Sequence, residues 1–340
     1  MSKTTTPSRP TGGENDRIAN AALAAELIPR REFGAHKWGV GGLLAVGGSP
    51  GFAGAISLAA LGASRSGAGI VVVAVPRGLA QTITTLVPEA VLVLLPDGET
   101  TGTARRAVDL ISAQLKKSAA LLIGPGLGQD DTASALLSAG FGFGDRRGTI
   151  GFGAAADTES GDGQTAGPFV SLERPLVLDA DALNWLATQD QWWERLPAGR
   201  AILTPHVGEM SRLLGQSAEE VMADPIATVQ AAAKRWRQTV VFKYGYSVAS
   251  DGDQVIIADD APLSLATAGS GDVLAGALGA LLGQGLAPLD AAAVALFVGP
   301  RAARRVEAQV GTLGLIASDL PRAIAEELAM LEEGRRPTDG

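Results

Sequence analysis

Short apolar runs recur along the chain without polar alternation. They are Leu43–Val46, Ile70–Val75, Val91–Leu95, Ala120–Ile123, Leu176–Leu178, Ala201–Leu203 and Val240–Phe242. Between them lie stretches with apolar residues at helical spacing: Ala55–Ser66, Thr103–Lys116, Thr132–Ala139, Ala182–Ala187, Gly208–Leu214 and Pro225–Arg237. A strand with no polar alternation is buried on both faces, and a helix after each strand returns the chain to a parallel neighbour. The pattern therefore predicts an α/β fold: a mostly parallel sheet with helices on both faces and right-handed crossovers. A further helix is predicted at Ala19–Leu27. After Phe242 the rhythm changes. Tyr246–Ala249 and Gln254–Ile257 flank Asp251-Gly252 and read as an antiparallel hairpin. The chain then closes with helices at Gly271–Leu282, Pro288–Val306 and Leu320–Leu331.

No linker divides this pattern, so residues 17–331 read as one domain. Residues 1–16 are polar and read as a disordered leader, and 332–340 as a loose tail. The one internal low-complexity segment, 141–168, is rich in glycine and reads as a mobile surface insertion. Its composition leaves a lid function open.

Composition narrows the chemistry. Among 340 residues there is no cysteine, which removes disulfides, thiolate metal sites and cysteine nucleophiles. His36 and His206 are the only histidines, so one chain cannot build a three-histidine metal site. A net charge of −8 argues against a nucleic-acid partner. No unbroken apolar run reaches the roughly 18 residues of a membrane span, and the N-terminus lacks the apolar core of a secretory signal. The 44 glycines are not periodic and point to tight turns where backbone meets ligand.

Six segments carry candidate chemistry. Gly269-Ser270-Gly271-Asp272 opens an apolar helix. The first N–H groups of a helix lack intrahelical acceptors and, with the dipole, form an anion site. Asp272 there is either an N-cap or a base beside that site, and a cap does not require the flanking glycines. Gly47–Ala55 (GGSPGFAGA) is a strand-to-helix turn that matches neither a Walker loop nor a dinucleotide fingerprint. Gly124–Gly128 (GPGLG) is either a tight turn or a place where ligand approaches backbone. Asp179-Ala-Asp181-Ala-Leu-Asn184 offers two carboxylates and an amide, with Asp181 also a possible cap. Thr204-Pro-His206-Val-Gly-Glu209 offers an imidazole that should project into the cleft. Glu209 either holds magnesium through water or caps the helix. Lys243-Tyr244-Gly245-Tyr246-Ser247 places a lysine at a strand end, for a nucleotide phosphate or for solvent. Five of the six follow predicted strands, hence share the sheet edge where α/β folds bind ligands.

In order and spacing these segments resemble the ADP/ATP-dependent NAD(P)H-hydrate dehydratases of the ribokinase-like superfamily. The resemblance runs from about His36 to about Leu331. Its further marks are HKWGVGG (His36–Gly42), SGAGIVVVAVP (Ser66–Pro76), PEA (Pro88–Ala90) and ILTPHVGEMSRLLG (Ile202–Gly215). The resemblance implies a three-layer α/β/α fold. It implies a lyase that restores NADH or NADPH from the S epimer of the hydrated form: a nucleoside phosphate phosphorylates the ring hydroxyl, and phosphate is eliminated. Asp272 would be the base. Ala55, Gly126, Gly128, His206 and Asp272 would contact the hydrated cofactor. Lys243, Tyr244, Gly245, Tyr246, Ser247, Gly269, Ser270 and Gly271 would contact ADP or ATP, with magnesium bridging its phosphates.

The resemblance also implies a cytoplasmic homo-oligomer, a tetramer in this family. Many relatives carry an epimerase domain; the span before His36 leaves no room for one, so reliance on a separate epimerase is expected. The sequence departs from the family where Tyr244 replaces glycine, Ser247 replaces threonine, and Phe297-Val298-Gly299 replaces a His-Gly pair. Two other readings share the helix start at Asp272. One is a ribokinase-like kinase of a vitamin-precursor alcohol; the other is a non-catalytic nucleotide sensor.

Overall fold

The computed structural model describes residues 16–98, 100–143 and 166–334. Residues 1–15 of the expected leader, the greater part of the expected insertion 141–168, and residues 335–340 of the tail lie outside them.

Ten strands form one sheet. They are β1 (Asp16–Ala19), β2 (Gly42–Val46), β3 (Ile70–Pro76), β4 (Val91–Leu95), β5 (Ala120–Ile123), β6 (Leu176–Leu178), β7 (Ala201–Leu203), β8 (Thr239–Phe242), β9 (Val248–Ser250) and β10 (Val255–Ala258). Their spatial order is β1-β10-β9-β8-β7-β6-β5-β2-β3-β4. From β8 to β4 every pair is parallel, as the apolar runs require. β9 runs antiparallel to both β8 and β10.

Residues alternate between two cores. Leu43, Ala45, Val71 and Val73 face one, with Ile56, Leu278, Leu281 and Ile324 of the helices Ala53–Arg65, Ser270–Gly283 and Leu320–Glu333. Leu44, Val46, Leu121 and Ile123 face the other, with Ile111, Leu137, Leu186 and Trp236 of the helices Thr101–Leu115, Asp131–Phe141, Asp181–Leu186 and Pro225–Trp236. The result is a three-layer α/β/α arrangement. No helix among the described residues is long and apolar enough to cross a membrane.

Four local readings change. The N-terminal residues Asp16–Ala19 form an edge strand parallel to β10, and the helix begins only at Ala21. Asn20 stops it earlier by accepting the Leu23 N–H at 3.0 Å. Both strands of the hairpin are shifted towards the C-terminus: Tyr246 and Ser247 lie before β9, and β10 runs from Val255 to Ala258. Asp251 Oδ1 closes the turn by accepting the Asp253 and Gln254 N–H groups at 3.0 and 2.8 Å. Phe141 and Pro168, the bounds of the expected insertion, belong to the helices Asp131–Phe141 and Pro168–Ser171. Phe141 is buried, its ring 5.6 Å from Phe169 and 5.9 Å from Trp185. At the tail, Glu332 and Glu333 continue the last helix.

Two features position the site. The chain passes from β2 outward to β3 and β4, then returns to the other side of β2 with β5. That reversal opens a crevice beyond the carboxyl ends of β2 and β5. The helix Ser270–Gly283 lies close against Ala53–Arg65, because Gly276 and Gly62 carry no side chain. A Cβ on Gly276 would fall 1.9 Å from Ala59 O, and one on Gly62 2.5 Å from Val273 O. This contact sets the depth of the Asp272 end.

Candidate active site

The strand ends bring the sequence segments into one row. Val46, Ile123, Leu178 and Leu203 are in register across β2, β5, β6 and β7. The next residue of each strand is therefore level: Gly47, Gly124, Asp179 and Thr204. Lys243, after β8, is bridged to His206, two positions further out.

At the crevice the two glycine turns touch. The Gly48 N–H donates to Pro125 O at 2.9 Å. Gly126 abuts Phe52 and Ala55 so tightly that a Cβ there would lie 2.4 Å from Phe52 O and 3.0 Å from Ala55 Cβ. Ala55 and Gly126 thus form one wall. Gly128 N–H donates to Asp181 Oδ2 at 2.9 Å, and Gln129 Nε2 to Asp181 Oδ1 at 3.0 Å. Asp181 is therefore bonded away from its own helix and does not cap it.

Lys243 is mostly buried. Its Nζ donates to Asp179 Oδ1 at 2.8 Å, and Thr204 Oγ1 donates to the same oxygen at 2.6 Å. A solvent-directed lysine is thereby excluded. Burial acts to lower the Lys243 pKa, but Asp179, Glu209 and Asp272 outweigh it and hold the ammonium above its ordinary value. The same Nζ would lie 3.2 Å from a Cβ on Gly271, so the cation sits against the start of the helix Ser270–Gly283.

At that helix start Gly269 has φ +91°, a left-handed turn that an L side chain rarely adopts. Ser270 Oγ donates to Leu265 O and Thr267 O at 2.8 and 3.0 Å, fastening the loop, and its N–H points to Thr267 O at 3.4 Å. Helix geometry leaves the Gly271 and Asp272 amides without intrahelical acceptors. Asp272 is pushed up to about 7, chiefly by burial and then by Asp179, with Lys243 acting the other way. A carboxylate near neutrality beside a cation and a helix start has the properties of a general base.

Gly245 and Ser247 line a cavity of about 330 Å³ that runs from Lys243 past Ser270 and Gly271 to Leu263 and Leu274. Tyr244 borders it, with its ring stacked 5.0 Å from Phe242. Among the described residues the buried Tyr244 hydroxyl has no hydrogen-bond partner, and burial, with Asp224, pushes it up to about 12. Tyr246 does not line this cavity.

His206 caps the helix Val207–Leu214: its Nδ1 accepts the Gly208 and Glu209 N–H groups at 3.0 and 3.3 Å. The ring remains half exposed, and burial, then Lys243 and Arg212, hold its pKa below the ordinary histidine value. Its Nε2 lies 3.4 Å from Glu209 Oε1. The exposed part of the ring suits contact with an uncharged ligand group. Glu209 completes the cap by accepting the His206 N–H at 2.9 Å and is buried, which pushes it up to about 7. The capping alternative for Glu209 is thus realised. Among the described residues no cluster of three or more His, Asp or Glu side chains could hold a metal ion. The donor set fits an ion carried by ligand phosphates and water, not a resident cage.

Sequence reading did not single out Thr204 Oγ1 or Gln129 Nε2. Thr204 could have been found, because it follows its strand as directly as Asp179 follows the neighbouring one.

Comparison with known proteins gives the family and the fold. A profile described as NAD(P)H-hydrate dehydratase matches residues 43–141 and 151–326. The chain is 31% identical over 328 residues to the ADP-dependent (S)-NAD(P)H-hydrate dehydratase of Xanthomonas campestris, covering 95% of this chain and 100% of that one. It is 36% identical over 320 residues to the bifunctional NAD(P)H-hydrate repair enzyme of Moorella thermoacetica, covering 94% of this chain but 55% of that protein. The chain thus spans about half the length of the bifunctional relatives it matches. Among solved structures, a ribokinase-like superfamily protein from Enterococcus faecalis superposes with a TM-score of 0.75 at 18% identity, covering 96% and 99% of the two chains. The ADP/ATP-dependent NAD(P)H-hydrate dehydratase of Bacillus subtilis, co-crystallised with ATP/Mg2+, superposes with 0.69 at 21% identity, covering 94% and 100%. These two neighbours establish the fold as ribokinase-like.

Proposed function

The chain belongs to the NAD(P)H-hydrate dehydratase family, and on that premise we propose that it restores NADH or NADPH from the S epimer of the hydrated cofactor at the expense of ADP or ATP. One observation carries the reading: Asp272, its pKa pushed up to about 7, stands at a glycine-rich helix start against which the Lys243 ammonium sits.

The nucleotide, as its magnesium complex, takes the cavity bordered by Lys243, Tyr244, Gly245 and Ser247. The hydrated nicotinamide takes the crevice of Ala55, Gly126 and Gly128, with His206 at its edge. Asp272 accepts the proton of the ring hydroxyl as that oxygen attacks the terminal phosphorus, and the bond from phosphorus to the nucleotide breaks. Lys243 and the amides at the start of the Ser270–Gly283 helix stabilise the charge on the moving phosphoryl group. Hydroxide leaves poorly and phosphate leaves well. The lone pair of the ring nitrogen expels it, and loss of a proton from the adjacent carbon restores the double bond. The products are the dihydronicotinamide, inorganic phosphate and the shortened nucleotide. We assign the reaction to the cytoplasm, where cofactor and nucleotide occur together.

The test is an uncoupled absorbance assay with purified protein, magnesium, hydrated NADH or NADPH, and ADP or ATP. Return of the dihydronicotinamide band supports the reading, and the faster nucleotide identifies the donor. Nucleotide consumption without return of the band supports the ribokinase-like kinase reading instead.

A further inference from the structure

Asp179 and Asp181 are two residues apart, yet their carboxylates serve opposite flanks of the crevice. In a regular strand, alternate side chains share a face. Here Ala180 adopts φ +48° and ψ −116°, a conformation L residues rarely take, and the two carboxylates diverge. Asp179 faces the nucleotide flank, bonded to Lys243 and Thr204. Asp181 faces the cofactor flank, bonded to Gly128 and Gln129.

We propose that Asp179 and Asp181 are the positioning residues of the two subsites, Asp179 orienting Lys243 towards the nucleotide phosphates and Asp181 shaping the Gly126–Gly128 turn for the hydrated cofactor. The proposal deepens the functional reading above and rests on it for the ligands' identity. Asp179 is 1% exposed and its Oδ1 already takes two donors, so it acts through Lys243. Lysine is a flexible point charge, and a fixed carboxylate behind it selects one position of the ammonium. Asp181 bonds a backbone N–H and an amide more than fifty residues earlier in the chain. Its two oxygens therefore fix the turn in place, and Gly128 delivers the effect at the cofactor wall. Neither bond set belongs to a helix cap, the ordinary duty of aspartate at such a position.

The test uses the full chain with Asp179→Asn, Asp181→Ala and Asp181→Asn. Affinities for ADP and for hydrated NADPH are measured by calorimetry, and the two KM values from turnover. Asp179→Asn should weaken nucleotide binding tenfold or more and leave hydrated-cofactor binding within twofold. Asp181→Ala should do the reverse, with Asp181→Asn intermediate because its amide oxygen still accepts from Gly128. A variant that moves both affinities by the same factor, or neither, overturns the proposal. If the wild type binds both ligands but restores no dihydronicotinamide, the functional reading fails while the affinities still decide the positioning roles. If it binds neither ligand, both fall.

Discussion

Lys243 Nζ and Asp179 Oδ1 lie 2.8 Å apart, bridging the ends of two strands that are separated in the sheet by β7. Asp179 is buried and Lys243 mostly so. Breaking a buried pair from one side leaves an uncompensated charge, which typically costs about 3–5 kcal/mol. Lys243→Met should therefore lower the melting temperature markedly. The double variant Asp179→Asn/Lys243→Met should recover part of that loss but none of the nucleotide affinity. Equal melting temperatures for single and double variants, read by calorimetry, would show the pair to be uncoupled.

Asp272→Asn keeps the shape of the helix start and removes the proposed base. Nucleotide affinity should persist while turnover falls by about 10²–10⁴-fold, the usual contribution of a positioned base. Because the ionised carboxylate is the active form and its pKa is about 7, kcat/KM should fall about tenfold per pH unit below neutrality and level off above it. Lys243 depresses that pKa, so Lys243→Met should move the acidic limb to higher pH. A pH profile flat from 5 to 9 would remove Asp272 from the proton transfer.

Glu209 gives a separate pH signature, in stability. Its folded pKa of about 7 stands above the ordinary 4.5, so the unfolded chain ionises first as pH rises. Between those values the folded state holds more protons, and Glu209 loses stability on the order of 2–3 kcal/mol as pH rises through the window. Glu209→Gln keeps an acceptor for the His206 N–H and removes the titration. The melting temperature of the variant, relative to the wild type, should be higher at pH 8 than at pH 4.5. A difference independent of pH would contradict the assignment.

Gly276→Ala tests how the helices set the depth of Asp272. The added Cβ would fall 1.9 Å from a backbone oxygen, which cannot yield as a side chain would. Overpacking of this kind costs about 1–3 kcal/mol or more. Gly299→Ala, within the helix Pro288–Val310, has nothing within 4 Å of the new Cβ and should be neutral or stabilising. Thermal unfolding of both variants provides the comparison. An equally stable Gly276→Ala would show that the two helices can move apart.

The parallel strands and the ligand edge were legible because each buried strand is an unbroken apolar run, and its first following residue must sit at the sheet's rim. Gly47, Gly124, Asp179 and Thr204 lie there for that reason. What lies across the rim was not legible. Lys243 meets Asp179 across 64 residues of chain, and nothing local to either distinguishes that pair from two solvated side chains. β1 was hidden for a similar reason. Asp16–Ala19 carries two charges and no period, and its partner β10 is supplied by tertiary structure more than 230 residues later. Glu209 had two local readings, magnesium or cap, and the capping box with His206 appears only in the folded chain.

The central claim is that phosphoryl transfer and elimination occur in one site on one substrate. The most direct measurement is stoichiometry in a single reaction: nucleotide consumed, inorganic phosphate released and dihydronicotinamide formed. The account predicts one of each per turnover, with no phosphorylated organic product left in solution. Nucleotide consumption matched by a stable phosphorylated product, or dihydronicotinamide formed without nucleotide consumption, would contradict it.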